Sequence, residues 1–135
     1  MSGYSTIEVD AGRMCMTDIT SQVRRIVKDS GVTDGICVVF SKHTTAGITI
    51  NENADPDVVT DLLYALNETY PDRPEFRHGE GNSAAHLKAS VIGSSVTVMI
   101  DDGKPVLGRW QGVYFAEFDG PRTRRFSIKV MGSVR

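Results

Sequence analysis

The chain has 135 residues, 40% of them hydrophobic and 24% charged, a size that suits one compact domain burying about two-thirds of its unfolded surface. Its net charge of −2 argues against broad nucleic-acid binding, which needs a strongly basic face, and no apolar run approaches the length of a membrane span. The N-terminus lacks the basic region and apolar core of a signal peptide, so a cytoplasmic protein that contacts neither membrane nor nucleic acid is expected.

YSTIEVDA alternates and is rich in β-branched residues, which predicts a strand over Tyr4 to Asp10. TDITSQVRRIVKDSG predicts a helix: Thr17 or Asp18 can cap it, Ile19, Val23, Ile26 and Val27 form one stripe, and Gly31 can end it. GICVVF and GITINE read as two strands separated by a turn at His43, and Cys37 in the first reads as a buried core thiol rather than part of a CxxC pair. ADPDVVTDLLYALNETYP predicts a second helix, with Asp55 at the cap and Pro56 at its first position. SAAHLKASVIG suits a short third helix. SVTVMI, the turn DDGK, VLGRWQGVYFAEFDG and RRFSIKVMGSV then read as a run of antiparallel strands. No linker, repeat or low-complexity segment divides the chain. The expectation is a single-domain α+β fold over residues 1–135, a largely antiparallel sheet or sandwich with two main helices.

Chemistry-bearing residues concentrate in three places. HTTAGITINE carries His43 and Glu52; alternation puts Glu52 at the end of the face that holds Ile48 and Ile50, where burial would raise its pKa and suit it to proton transfer. The duller reading is a strand end pointing into water. In FRHGEGNSAAHLKAS, His78, Glu80, Asn82 and His86 lie within nine residues. Imidazoles suit zinc and similar divalent ions, but the spacing is a weak signal that matches neither HExxH nor zinc-finger pairs, and by spacing alone hydrogen-bonded structural histidines are the favoured reading. In the third stretch Trp110 and Gln111 offer a stacking face beside an amide for a planar heterocycle, against the alternative of a core tryptophan. Glu117, Asp119, Arg122 and Arg125 surround a Gly-Pro turn, where arginine forks could hold a phosphate or simply solvate an edge strand.

Taken in order, SKHTTAGITINEN and GNSAAHLKASVIGSSVTVMIDDGKPVLGRWQGVYFAEFDGPRTRR closely resemble the YjbQ-like family, over nearly the whole chain. That resemblance implies a homotrimer of α+β subunits with a histidine-lined pocket for a divalent metal or an anion, His43, His78 and His86 being the metal ligands. It implies secondary thiamine-phosphate synthase activity, in which a hydroxymethylpyrimidine diphosphate is coupled to a thiazole phosphate. By matching position, Glu52, His43 and Asn82 would be catalytic, and Trp110, Gln111, Glu117, Arg122 and Arg125 would bind the phosphorylated substrate. Zinc is the expected metal in a purified sample, magnesium with a diphosphate substrate. Arg109 stands where a small residue often precedes the tryptophan. Two rivals are carried beside this reading: a metal-dependent hydrolase of phosphorylated small molecules with Glu52 as base, and a non-catalytic module that binds a small ligand.

Overall fold

The structure, a computed structural model, describes residues 3–135. Eight strands and three helices follow in the order β1 (Ser5–Ala11), β2 (Cys15–Asp18), α1 (Thr20–Ser30), β3 (Asp34–Ser41), β4 (Ala46–Glu52), α2 (Pro56–Thr69), α3 (Ser83–Ile92), β5 (Ser95–Asp101), β6 (Lys104–Pro105), β7 (Gln111–Glu117) and β8 (Arg122–Ser133). They form two antiparallel sheets, one of five strands ordered β1-β8-β3-β5-β6 and one of three ordered β2-β7-β4. The fold class is thus α+β, with a third helix beside the two main ones.

Local chemistry accounts for most of these elements. The Asp55 side chain accepts the Asp57 N–H at 2.9 Å and Pro56 opens α2, as the cap and first position predicted. In α1 the helical stripe buries Val23 and Val27 completely, and Gly31, at φ 75°, ends the helix by donating its N–H to the Lys28 carbonyl. The start lies later than expected: Thr17 and Asp18 belong to β2, and Asp18 Oδ1 accepts the Thr20 N–H at 2.9 Å just outside the helix. Asp102 and Gly103, at φ 51° and 73°, make the two-residue turn between β5 and β6 with the paired positive φ such hairpins prefer. The segment after that turn is only partly strand, because β6 has two residues and residues 106–110 are irregular.

Cys37, Val39, Val98, Ile100, Phe126 and Ile128 of the larger sheet meet Ile48, Val113 and Phe115 of the smaller one across a core that α1 closes. A second cluster on the outer side of the smaller sheet packs Ala116 and Phe118 under Ala85 and Ala89 of α3, with Leu63 and Leu66 of α2 against them. None of the residues of α2 is fully buried. On the outer face of the larger sheet, Ile36 stands opposite Met99 and Met131, with Val38 and Phe40 farther along β3. That face stays open: Phe40 is 39%, Met99 63% and Met131 42% exposed. Among the described residues no helix is long and apolar enough to cross a membrane.

Candidate functional site

The core ends in a charge pair. Side-chain alternation along β7 sends Val113, Phe115 and Glu117 inward, and along β8 it sends Arg124, Phe126 and Ile128 to meet them. Glu117 is 0% and Arg124 4% exposed. Arg124 donates from Nε to Glu117 Oε1 and from Nη2 to Oε2, both at 2.6 Å, a two-pronged carboxylate bond. Its Nη2 also donates to Thr45 Oγ1 at 2.7 Å, and Nη1 lies 3.3 Å from His43 Nδ1. Glu117 Oε2 takes the Asp119 N–H as well.

His43 lies over this pair, its ring edge-on to Phe115 with centroids 6.4 Å apart. Nε2 accepts the Arg125 backbone N–H at 3.1 Å while Nδ1 faces the Arg124 guanidinium. Whichever nitrogen carries the proton of the neutral ring, one contact sets donor against donor, and the doubly protonated ring would suffer at both. Burial first, and the Arg124 charge second, push the His43 imidazole below its ordinary value, so it is neutral at pH 7.

From there a groove of about 500 Å³ runs along α3, with His43, Thr44 and Ala46 on one wall and His86, Ala89 and Ser90 on the other, and Gly93 and Ser94 at its end. Gly47 sets the approach of the two walls, because a Cβ there would lie 2.5 Å from the Gly93 carbonyl oxygen. No carboxylate lines this groove. At the start of α3, Asn82 Nδ2 donates to Asp119 Oδ2 at 2.8 Å, and Arg122 donates to the same carboxylate oxygen at 3.1 Å and to the Asp119 carbonyl. Asn82 therefore makes no side-chain cap, leaving the first-turn N–H groups of α3 uncapped by it, and its own Oδ1 is buried without a partner. His78 touches His86 edge to face, with centroids 5.3 Å apart, and lies 3.9 Å from Glu80.

This geometry stands within a recognisable group of proteins. The family described as UPF0047 protein YjbQ-like matches residues 5–133. The chain belongs to that family. It is 53% identical to the UPF0047 protein YugU of Bacillus subtilis over 118 residues, covering 87% of this chain and 89% of YugU. It is also 53% identical to a UPF0047 protein of Methanocaldococcus jannaschii over 117 residues, 87% of this chain and 85% of that one. Among solved structures, a YjbQ/UPF0047 family protein of Clostridium acetobutylicum superposes with a TM-score of 0.92 at 50% identity, covering 94% of this chain and 99% of that one. A YbjQ-like protein of Sulfolobus solfataricus gives 0.93 at 33% identity over 98% of this chain and 99% of its own.

Within the family fold, the residues singled out from sequence fall into two groups, with the Arg125 side chain in neither. His43, Asn82, His86, Glu117 and Arg122, with His78 beside His86, gather around the start of α3 and the end of the core. Glu52, Trp110 and Gln111 lie at the far end of the β4–β7 ladder, where Glu52 pairs with Gln111 while Ala46 pairs with Glu117. Gln111 and Glu117 are the two ends of β7, six residue steps and about 20 Å apart. Glu52 Oε2 there accepts the Asp55 N–H ahead of α2, Gln111 Oε1 accepts the Gly108 N–H, and Trp110 is 53% exposed with Arg109 over its ring. Arg125 reaches His43 only through its backbone; its guanidinium pairs with Glu8 on the outer face of the larger sheet.

The metal set expected from sequence does not form within one chain. Among the described residues no group of three or more His, Cys, Asp or Glu side chains is placed to hold a metal ion, and both nitrogens of His43 face N–H donors. Sequence reasoning assigned no site role to Arg124 or Thr45, and it named Asp119 beside the Gly-Pro turn without its bond to Asn82. Parity was the available signal, since Glu117 and Arg124 each continue a core-facing alternation.

Proposed function

We propose that the α3 groove binds the phosphate end of a small phosphorylated substrate, and that the chain is a cytoplasmic transferase of the thiamine-phosphate synthase kind. One observation carries this reading: the groove presents the imidazoles of His43 and His86 and the hydroxyls of Thr44 and Ser94, with no acid among its lining residues, while the Ser90 hydroxyl donates to the His86 carbonyl. Such a surface donates hydrogen bonds and repels no anion. In the coupling reaction the thiazole nitrogen forms a bond to the pyrimidine methylene carbon as the carbon–oxygen bond to pyrophosphate breaks. The protein's task is to orient the two reactants and stabilise the departing diphosphate. His86, the uncapped first turn of α3 and Arg122 serve the diphosphate. His43, held neutral, turns one ring nitrogen from its competing donor toward a phosphate oxygen.

Trp110 and Gln111, the surface suited to the pyrimidine, lie too far along β7 to meet the same substrate molecule in one chain. The proposal therefore includes a homotrimer in which a neighbouring copy supplies them; the open apolar face bearing Phe40, Met99 and Met131 gives the chain surface to bury in such an assembly. The test is coupling assayed with His43→Ala protein, with Trp110→Ala protein, and with the two unfolded and refolded together. Each variant alone should be inactive and the mixture should recover activity. A mixture as dead as its components refutes the shared site. Pyrophosphate binding by the parent without coupling or hydrolysis turns the reading to a binding module, and phosphate release without a thiazole acceptor turns it to a hydrolase.

A further inference from the structure

A cavity larger than the α3 groove lies elsewhere, at the other end of β3. About 640 Å³ opens between the end of α1 and the β5–β6 hairpin, lined by Arg24, Lys28, Gly31–Thr33 and residues 102–105. β3 begins at Asp34, beside this cleft, and ends at Ser41, beside the α3 groove. Its eight residues put the two about 25 Å apart.

Arg24 and Lys28 are four residues apart in α1, so they stand side by side on one helical face, an arrangement that costs stability when nothing anionic lies between them. Lys104 faces them across the cleft. All three are exposed, and none of them is paired with a carboxylate among the described residues. The one acid of the lining, Asp102, leaves an excess of two positive charges: three cations less one carboxylate. A phosphate monoester carries about that charge with the opposite sign near neutral pH. Beside the charged residues the lining holds Thr33, the apolar Val32 and Pro105, and the bare backbone of Gly31 and Gly103. The Gly31 and Gly103 N–H groups are spent on the Lys28 and Thr33 carbonyls, so the phosphate would be held by side chains alone.

We infer that this cleft is a second binding site, independent of the α3 groove, for a phosphate monoester with a flat apolar body, the chemistry of a mononucleotide. Arg24 forks the phosphate, Lys28 and Lys104 supply point charges from either wall, and the body lies on Val32 and Pro105.

The probe is adenosine monophosphate, titrated into the full chain by calorimetry at low salt, beside adenosine and inorganic phosphate. Adenosine monophosphate should bind tightest. Changing Arg24, Lys28 and Lys104 together to Gln should weaken it by about tenfold or more. Asp102→Asn should strengthen it, Lys129→Gln on the sheet's outer face should leave it unchanged, and so should His43→Ala. A triple variant that binds like the parent, adenosine binding as tightly as its monophosphate, or no binding at millimolar ligand each overturns the inference. A His43→Ala protein that loses the signal overturns it too, by placing the ligand in the α3 groove.

Discussion

Arg124→Met removes the guanidinium from the end of the core and leaves the Glu117 carboxylate, which has no solvent exposure, with the Asp119 N–H as its remaining partner. Four polar contacts disappear: two to Glu117, one to Thr45 and one to His43. Stripping one partner from a buried ion pair costs about 3–5 kcal/mol, a large share of the roughly 5–15 kcal/mol that holds a domain together. For a chain this size the melting temperature should fall by about 10–20 °C. Glu117→Gln should cost a similar amount, because it leaves the guanidinium without its counter-charge. In the double variant Glu117→Gln/Arg124→Met neither charge is stranded, so the combined loss should fall short of the sum by about 2 kcal/mol or more. Urea unfolding of the four proteins closes the cycle. An NMR titration of Arg124→Met should also show the His43 imidazole moved up toward its ordinary value, since one of the two main causes holding it down is gone. Additive losses refute the coupling, and an unmoved His43 titration refutes the claim that Arg124 governs that ring.

Because the folded His43 pKa lies below the ordinary value of 6.5, the unfolded chain takes up its proton first on acidification. Stability from this residue is therefore full above that pH and lost as pH falls through the folded value, and His43→Gln should flatten that limb in unfolding measured between pH 4.5 and 7.5. Lys88 is 4% exposed with Asn67 Oδ1 as its partner at 3.2 Å, and burial pushes its ammonium down against the opposing charge of Asp72. The folded form then loses its proton first as pH rises, stability grows up to the ordinary value of 10.5, and Lys88→Met should abolish that growth while raising the urea midpoint at pH 7; an unchanged slope refutes this. Gly47→Ala should cost about 1–3 kcal/mol by driving β4 from α3, and a variant of parental stability would show that the groove walls are free to part.

Where local chemistry decided the outcome, the chain could be read residue by residue. Asp55-Pro56 starts α2 and Asp102-Gly103 makes the hairpin because cap and turn conformations depend on neighbours in sequence. β2 escaped because Cys15–Asp18 is short, and its pairing with Glu117 back to Tyr114 is settled by residues nearly a hundred positions away. The site follows the same division. Asn82 and His86, at the start of α3 and within it, were evident together, yet the expected metal set of His43, His78 and His86 gave no sign of Arg124, whose guanidinium lies 3.3 Å from His43 Nδ1. Trp110 and Glu52 were grouped with the histidines by their motifs alone. Motifs carry no distance, and the straight β4–β7 ladder holds them at opposite ends.

The buried Glu117–Arg124 pair needs a reason beyond stability. Two apolar side chains of similar volume often do as well or better at closing a core, since desolvating both charges offsets most of their attraction. What apolar residues could not do is present a fixed guanidinium to His43 Nδ1 while the strand presents the Arg125 N–H to Nε2. The pair also supplies Glu117 Oε2 to the Asp119 N–H, and Asp119 in turn holds both Asn82 and Arg122. One buried carboxylate thus ties the state of the imidazole on one wall of the groove to the placement of Arg122 and of Asn82 at the start of α3. An anion entering the groove would meet groups whose positions had been set together, and the energy spent in burying the pair reappears as preorganisation of that surface.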